Sequence, residues 1–238
     1  MKRKFVVYAH RGASEYYPEN TLSSFAAGID MGADGIETDV QISKDGVLVI
    51  YHDDEMMAKT GFSGIVADYT WEQLRAARVK NEKYNRCDVL MTFEDFLKYF
   101  AWRDLTLAIE LKVCGIAGKV IDMLKRYGAY EKSVITSFYY DALVEARAYD
   151  PEVKLGWLYV SHTAQTLDKL RAIGAVQACP KAEEIKKEHL DELYAAGFDC
   201  RAWGIANTEI MRYATDIGVN AGMTVNFPDK LIEYIKDK

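Results

Sequence analysis

Four short polar clusters, each at the end of an apolar run, carry residue types suited to chemistry on a phosphate ester. They are His10-Arg11-Gly12, Glu37-x-Asp39, His52-Asp53 and Glu110-x-Lys112. The chain has only four histidines, and two of them lie beside these charged residues in its first quarter. Two imidazoles, three candidate metal-binding carboxylates and two cations together favour metal-assisted acid/base chemistry.

The acidic residues of these clusters form a candidate metal site. Alternate residues of a strand point to the same face, so Glu37 and Asp39 project together. One such pair alone is more typical of an exposed strand edge, but Glu110 is expected to arrive from the next strand at the same level. A divalent cation would relieve the repulsion among the three carboxylates, and the same ligands suit Mg²⁺ or Ca²⁺.

The histidines are the natural acid/base pair, because imidazole titrates near neutral pH. A lone histidine is more often a structural hydrogen-bonding group, but His10 precedes Arg11 and His52 follows a strand near the carboxylates. Arg11 and Lys112 are expected to hold the phosphoryl oxygens. Ion pairs with the nearby carboxylates are an alternative for both cations, and the two roles are compatible.

Apolar runs and helical patterns alternate from end to end and would position these groups. The predicted strands are Phe5–Ala9, Gly35–Ile42, Leu105–Leu111, Ser133–Ser137, Val153–Leu158, Ala175–Cys179, Phe198–Trp203 and Ala221–Val225. The predicted helices cover about 20–31, 92–101, 115–127, 139–149, 163–173, 184–196, 207–217 and 228–237. Eight strand–helix units predict one closed (β/α)8 barrel spanning residues 1–238, with its active site at the carboxyl ends of the strands.

Two other predicted strand ends contribute candidates. Trp203 ends the seventh strand, where it would wall a substrate pocket or pack at the barrel rim. Ser137-Phe138 closes the fourth strand and would add a hydroxyl and an apolar wall.

Val47–Tyr51 does not fit the alternation. It follows the second strand after four residues, too few for a parallel crossover, so it should fold back as an antiparallel arm. A turn centred between Lys44 and Asp45 would place His52 opposite Glu37.

Residues 54–91 also break the alternation, and we expect a small insertion after the second barrel strand. It includes a helix-like stretch from Thr70 to Val79. This insertion would either cap the active face or form a surface excursion with its own apolar cluster.

Composition excludes several classes of protein. Half of the 238 residues are hydrophobic and 28% are charged, which is typical of a globular domain with a sizeable core. The net charge of −6 and the lack of a basic run argue against nucleic-acid binding.

The four scattered cysteines predict reduced thiols. The run from Phe5 to Ala9 is too short for a signal-peptide core, and no transmembrane segment is expected, so we expect a cytoplasmic protein. The oligomeric state stays open.

The order and spacing of the clusters resemble the glycerophosphodiester phosphodiesterase family over residues 8–229. The matching stretches are His10-Arg11-Gly12, Pro18-Glu19-Asn20-Thr21, Glu37-x-Asp39, His52-Asp53, Glu110-x-Lys112, Ser137-Phe138, and Trp203 with Asn207.

The resemblance implies a (β/α)8 barrel and one divalent metal ion, Mg²⁺ or Ca²⁺, held by Glu37, Asp39 and Glu110. It assigns acid/base roles to His10 and His52. The implied reaction hydrolyses glycerophosphodiesters to sn-glycerol 3-phosphate and an alcohol, with the glycerol hydroxyl attacking first to give a cyclic phosphate. The implied phosphate or substrate contacts are Arg11, Lys112 and Trp203. The residues expected to contact and orient these site residues are Glu19, Asn20, Asp53, Ser137 and Asn226.

Two departures from the family pattern leave the substrate open. The family's usual aspartate after the last strand is replaced by Asn226, and its usual arginine after His52-Asp53 is absent from Ala58-Lys59-Thr60. An apolar entrance to the active site, able to admit a lysolipid, would be formed by Met56, Met57, Phe62, Tyr16 and Tyr17.

These residues are compatible with three functions. Hydrolysis of glycerophosphodiesters is favoured. A lysophospholipase D-like or cyclising phosphodiesterase would act on lysolipids through similar residues and stop at a cyclic phosphate. A non-catalytic barrel that binds a phosphate ligand would not need the acid/base pair.

Overall fold

The computed structural model describes residues 5–236 and contains a closed barrel of eight parallel strands. In chain order the strands are Val6–His10 (β1), Gly35–Ile42 (β2), Leu48–Ile50 (β3), Arg78–Asn81 (β4), Arg86–Val89 (β5), Thr106–Leu111 (β6), Ser133–Ser137 (β7), Leu155–Tyr159 (β8), Gln177–Pro180 (β9), Asp199–Ile205 (β10) and Gly222–Val225 (β11). The barrel runs β1-β2-β6-β7-β8-β9-β10-β11 and closes where β11 pairs with β1. The predicted (β/α)8 barrel is confirmed.

Helices follow the barrel strands and cover the barrel from outside, and two short helices lie in the insertion. They are Leu22–Asp30 (α1), Met57–Thr60 (α2), Trp71–Leu74 (α3), Phe93–Phe100 (α4), Ala117–Arg126 (α5), Tyr140–Tyr149 (α6), Thr166–Ala172 (α7), Lys187–Ala195 (α8), Thr208–Asp216 (α9) and Pro228–Ile235 (α10). The eight predicted helices are present with shorter ends, and residue 237 of the last prediction lies outside the described residues. None of the described helices is long and apolar enough to cross a membrane.

Helix α4 shows how the sequence fixes these elements. The hydroxyl of Thr92 accepts the backbone N–H of Asp95 at 3.0 Å and so caps the amino end of the helix. Phe93, Phe96 and Phe100 recur on one helical face and are buried in the barrel core. Burial of each such ring is worth about 1.5–3 kcal/mol, so packing dominates the stability of this helix.

The arm after β2 is antiparallel, as predicted, but its register is different. Gln41 pairs with Val49 and Val40 with Ile50, so continuing this register would place residue 53, not His52, opposite Glu37. The turn contains one more residue than expected, with Gly46 at a φ of +83° and the N–H of Ser43 bonded to the carbonyl of Val47. A three-residue turn that uses a left-handed glycine accounts for the shift.

The insertion has an apolar cluster of its own, the feature expected of a surface excursion. Met56, Val66, Leu74 and Val79 are among its buried members. The predicted helix from Thr70 to Val79 is wrong: α3 ends at Leu74, and β4 pairs with β5 in an antiparallel hairpin. Burial of Val79 and pairing with β5 override the local helical pattern.

Polar contacts join the insertion to the loop between β1 and α1. The amide nitrogen of Asn81 donates to the carbonyls of Tyr17 and Ser14, at 3.1 and 3.3 Å. Lys59 bonds to Glu19 at 3.0 Å. The insertion therefore lies against the loop that carries Arg11.

Candidate active site

The predicted polar clusters meet at the carboxyl ends of the barrel strands, around a cavity of about 280 Å³. Residues that line it are His10, Arg11, Glu37, His52, Glu110, Phe138, Leu158, Arg201, Trp203, Gly204 and Thr224. The parallel pairing of β1, β2 and β6 brings them together, since His10 pairs with Glu37 and Asp39 pairs with Glu110. The register of these strands therefore explains why residues that are distant in sequence lie together at the site.

Three buried carboxylates form the acidic centre. One oxygen from each of Glu37, Asp39 and Glu110 lies within 4.8 Å of the others. Burial, followed by repulsion from Asp39, raises the pKa of both Glu37 and Glu110. Burial also opposes ionisation of Asp39, but Arg11 and other nearby cationic groups hold the pKa of this carboxyl below its usual value.

This centre fits a divalent cation. Asp39 Oδ2 accepts from the amide of Asn20 at 2.8 Å, whereas Asp39 Oδ1 is buried without a hydrogen-bond partner. A buried, unpartnered carboxylate oxygen is costly, and ligation to a metal would satisfy it. All the donors are oxygens, which suits Mg²⁺ or Ca²⁺.

His10 is oriented by the residue that departs from the family pattern. Its Nδ1 lies 2.5 Å from Asn226 Oδ1, and its Nε2 lies 3.8 Å from Glu37. Because a carbonyl oxygen accepts, Nδ1 carries the proton and Nε2 keeps its lone pair. Burial, followed by repulsion from Arg11, lowers the pKa of His10 to about 3. His10 is therefore neutral at pH 7.

His52 also reaches the cavity, although not through the pairing that was expected. The amide of Gln41 donates to the carbonyls of Tyr51 and Asp53, at 3.2 and 2.9 Å, and so fixes the segment after β3. His52 Nδ1 lies 2.7 Å from Asp53 Oδ1. Sequence reasoning missed Gln41, and the available signal was a polar side chain between the apolar Val40 and Ile42.

Arg11 and Lys112 lie among the carboxylates. Arg11 Nε is 3.3 Å from Asp39, Arg11 Nη1 is 3.1 Å from Glu19, and Lys112 is 2.9 Å from Glu110. The adjacent Gly12 has a φ of +86°, and a Cβ there would lie 2.3 Å from the backbone of Ser24. Glycine thus allows this loop to pass close to α1 and direct Arg11 into the site.

Aromatic side chains form the other wall of the cavity. The rings of Trp203 and Phe138 meet edge to face with centroids 4.8 Å apart, and Trp203 Nε1 donates to the carbonyl of Tyr159 at 3.2 Å. Ser137 does not reach the cavity. Its buried hydroxyl donates to the carbonyl of Leu111 at 2.7 Å and so joins β7 to β6.

The family model described as the glycerophosphoryl diester phosphodiesterase family matches residues 10–230. The chain belongs to this family. The match spans nearly the whole barrel, including every residue assigned above to the acidic centre and the histidine pair. It confirms the predicted family and enzyme class, a glycerophosphodiester phosphodiesterase.

Relatives support the family assignment over the full chain. A glycerophosphodiester phosphodiesterase of Caldanaerobacter subterraneus is 30% identical over 98% of each chain, and one of Bacillus altitudinis is 29% identical over 95% of this chain and 96% of the relative. Among solved structures, an Oleispira antarctica phosphodiesterase in complex with the product sn-glycerol-3-phosphate superposes with a TM-score of 0.88. It is 24% identical, and the match covers 97% of this chain and 96% of that one.

The predicted apolar entrance is wrong for Met56, one of its five residues. Met56 is fully buried in the insertion's own cluster, while the adjacent Met57 is exposed. The hydroxyl of Tyr16 donates to Asp229, and the ring of Tyr17 lies under the guanidinium of Arg86 at 4.0 Å. Met56 therefore contributes nothing to an exposed apolar surface, and the two tyrosines make contacts of their own outside the insertion's cluster.

Arg201 is the charged cavity residue that sequence reasoning missed. It is 1% exposed and lies in β10 between Cys200 and Ala202. The available signal was a charged residue two positions before Trp203, on the same face of an apolar strand.

Proposed function

We propose that this protein hydrolyses glycerophosphodiesters to sn-glycerol 3-phosphate and an alcohol, with a divalent cation held by Glu37, Asp39 and Glu110. The observation that carries the proposal is the meeting of three buried carboxylates, one with an unpartnered oxygen, and two histidines at one small cavity. When bound, the cation would act as a Lewis acid on a phosphoryl oxygen.

His10 acts as the general base in this proposal. Asn226 Oδ1 accepts a hydrogen bond from Nδ1–H, so the lone pair of Nε2 is available to take the proton of the attacking glycerol hydroxyl. This attack within the substrate closes a cyclic phosphate, and water opens it in a second step. Because the nucleophile is already attached to the substrate, proximity supplies much of the rate.

His52 acts as the general acid. Its Nδ1 donates to the carboxylate of Asp53 at 2.7 Å, and this contact fixes the orientation of the ring at the cavity. His52 would transfer a proton to the departing alkoxide of the alcohol. In the second step the two histidines exchange roles.

Arg11 and Lys112 stabilise the charge that develops on the phosphoryl oxygens. Both already lie within ion-pair distance of the acidic centre, so they need little reorganisation to meet a ligand bound there. Glu19 accepts a hydrogen bond from Arg11 Nη1 and so helps to orient the guanidinium. Asn20 donates to Asp39 and so orients this carboxylate.

The cyclising or lysolipid-directed alternative shares these residues but has no separate support, since Met56 is buried and forms no apolar entrance. A non-catalytic phosphate-binding role is disfavoured, because binding alone needs no oriented pair of histidines. Product analysis separates the first two reactions: a hydrolase accumulates the open monoester, and a cyclase accumulates the cyclic phosphate.

The test is release of glycerol 3-phosphate from glycerophosphocholine and glycerophosphoethanolamine in the presence of Mg²⁺, Ca²⁺ or a chelator. Release that depends on one of the cations is expected. His10→Ala and His52→Ala should each lower the rate by about 10²–10⁴, and Glu37→Gln should weaken metal binding measured by calorimetry. Undiminished release with chelator, or near-full activity of either histidine variant, would refute the mechanism.

A cytoplasmic location belongs to the same proposal. It is supported by four cysteines that are all free in the described structure, as expected for a reducing compartment. Cell fractionation with a tagged full-length chain would test it, and recovery in the secreted fraction would contradict it.

A further inference from the structure

Arg201 is a buried charge that the proposed chemistry leaves without a role. It belongs to β10 and is 1% exposed. Alternate strand residues share a face, so it points to the barrel interior together with Trp203. Burial of a guanidinium costs several kcal/mol unless it is well paired, which makes its presence here informative.

Its partners satisfy it only in part. Nη1 donates to the hydroxyl of Thr224 at 2.6 Å, Nη2 approaches the sulfur of Cys179 at 3.7 Å, and the guanidinium lies 5.2 Å from the ring centroid of Tyr8. Within residues 5–236, no carboxylate forms an ion pair with it at 4 Å or less, and its Nε is buried without a hydrogen-bond partner. An unpartnered buried N–H of this kind calls for a missing acceptor.

The position of Arg201 indicates where that acceptor would lie. Arg201 and Thr224 line the same cavity as His10 and Glu110, while Phe138 and Trp203 form its apolar wall. A volume of about 280 Å³ is just below the usual range of ligand pockets, ~300–1,000 Å³. The cavity thus suits a short ligand that has both polar atoms and C–H faces.

We propose that Arg201 is a specificity-determining residue that donates hydrogen bonds to the hydroxyl groups of the substrate's glycerol arm. The carbon frame of glycerol would lie against Trp203 and Phe138, and its hydroxyl oxygens would face the guanidinium and Thr224. This inference rests on the proposed function, because it requires the phosphoryl group to lie beside the acidic centre.

The test compares two phosphate monoesters that differ in their hydroxyl groups. Binding of glycerol 3-phosphate and of n-propyl phosphate, which has the same three-carbon frame without hydroxyls, is measured by calorimetry at a fixed divalent-cation concentration. The wild-type protein should prefer glycerol 3-phosphate. Arg201→Met should weaken its binding by about 10- to 100-fold, the range for hydrogen bonds to a charged group, and should change binding of propyl phosphate much less.

Two further variants keep this test decisive. Arg212→Met, at an exposed arginine of α9, is the matched control and should leave both affinities unchanged. If Arg201→Met does not fold, as judged by thermal unfolding, Thr224→Val removes one neighbouring hydroxyl with little change in shape. That variant should weaken glycerol 3-phosphate binding alone, by a few fold.

Equal weakening of both ligands by the Arg201 variant would overturn the proposal, because Arg201 would then act only through its charge or through packing. Equal affinity of the wild-type protein for the two ligands would also overturn it. The proposed function fails differently, through absence of cation-dependent glycerol 3-phosphate release, so the two failures are distinguishable.

Discussion

The contact between His10 and Asn226 gives a prediction about the pH dependence of the enzyme. In the family pattern an aspartate usually follows the last strand, whereas here the neutral Asn226 meets His10 Nδ1 at 2.5 Å. Burial and Arg11 lower the pKa of His10 to about 3, so the proposed base stays unprotonated far into the acid range. Asn226→Asp would replace a neutral acceptor with a carboxylate in direct contact with the ring.

The expected shift follows from the charge introduced. An opposite charge within hydrogen-bonding distance favours the charged imidazolium and raises a histidine pKa by about 1–3 units. A general base works only when it is unprotonated, so raising its pKa moves the acidic limb of kcat/KM to higher pH. Starting from a pKa of about 3, the limb should move to about pH 4–6. The basic limb should move much less, since Asn226 contacts the ring of His10 and makes no hydrogen bond to His52.

The assay is a profile of kcat/KM against pH for glycerophosphocholine, over a range in which thermal unfolding shows the protein to be folded. Asn207→Asp is the matched control, because it makes the same change in charge at the cap of α9 and aspartate also caps helices well. An acidic limb that does not move in Asn226→Asp, or moves equally in Asn207→Asp, would refute the assignment of His10 as the base that Asn226 orients.

Three further predictions concern stability and are checked by chemical denaturation. Met56→Ala should destabilise the protein by about 2–5 kcal/mol, because it leaves a cavity in the insertion's cluster. The same change at the exposed Met57 should cost less than about 0.5 kcal/mol. Similar losses in the two variants would contradict the burial of Met56. The hydrogen bond from Lys125 lowers the pKa of Asp150. The ionised Asp150 therefore stabilises the fold at pH values above its usual pKa, and this stabilisation is lost as the pH falls through the lowered pKa. Asp150→Asn should therefore cost about 1 kcal/mol at pH 7 and little in strong acid, and a loss independent of pH would count against this. Gly12→Ala should destabilise by more than about 1 kcal/mol, since its φ is positive and its Cβ would meet backbone, and a neutral result would show that the loop relaxes easily.

The barrel and the acidic centre were predictable from sequence because both depend on local patterns. Glu37 and Asp39 lie two residues apart on one strand, and a parallel barrel necessarily aligns the carboxyl ends of its strands. The identity of the strands therefore placed Glu110 beside them without any knowledge of loop conformation.

The remaining features depend on contacts between distant segments. The register of the arm after β2 is set by the conformation of Gly46, which composition does not specify. The strand at Val79 forms because it pairs with β5 and buries its side chain in the insertion's cluster. Arg201 was missed for the same reason, since its role depends on which side chains the closed barrel places around it.

The insertion and the barrel bury their apolar side chains in two separate clusters, joined across the loop after β1 by polar contacts such as that of Asn81 with Tyr17. Segments with separate cores can open as separate cooperative units, each with its own free energy. Amide hydrogens of the hairpin β4–β5 should therefore exchange with solvent before those of the barrel strands. Each such opening would also separate Lys59 from Glu19, the carboxylate that accepts from Arg11 Nη1, so motion of the insertion would reach the site through this one carboxylate.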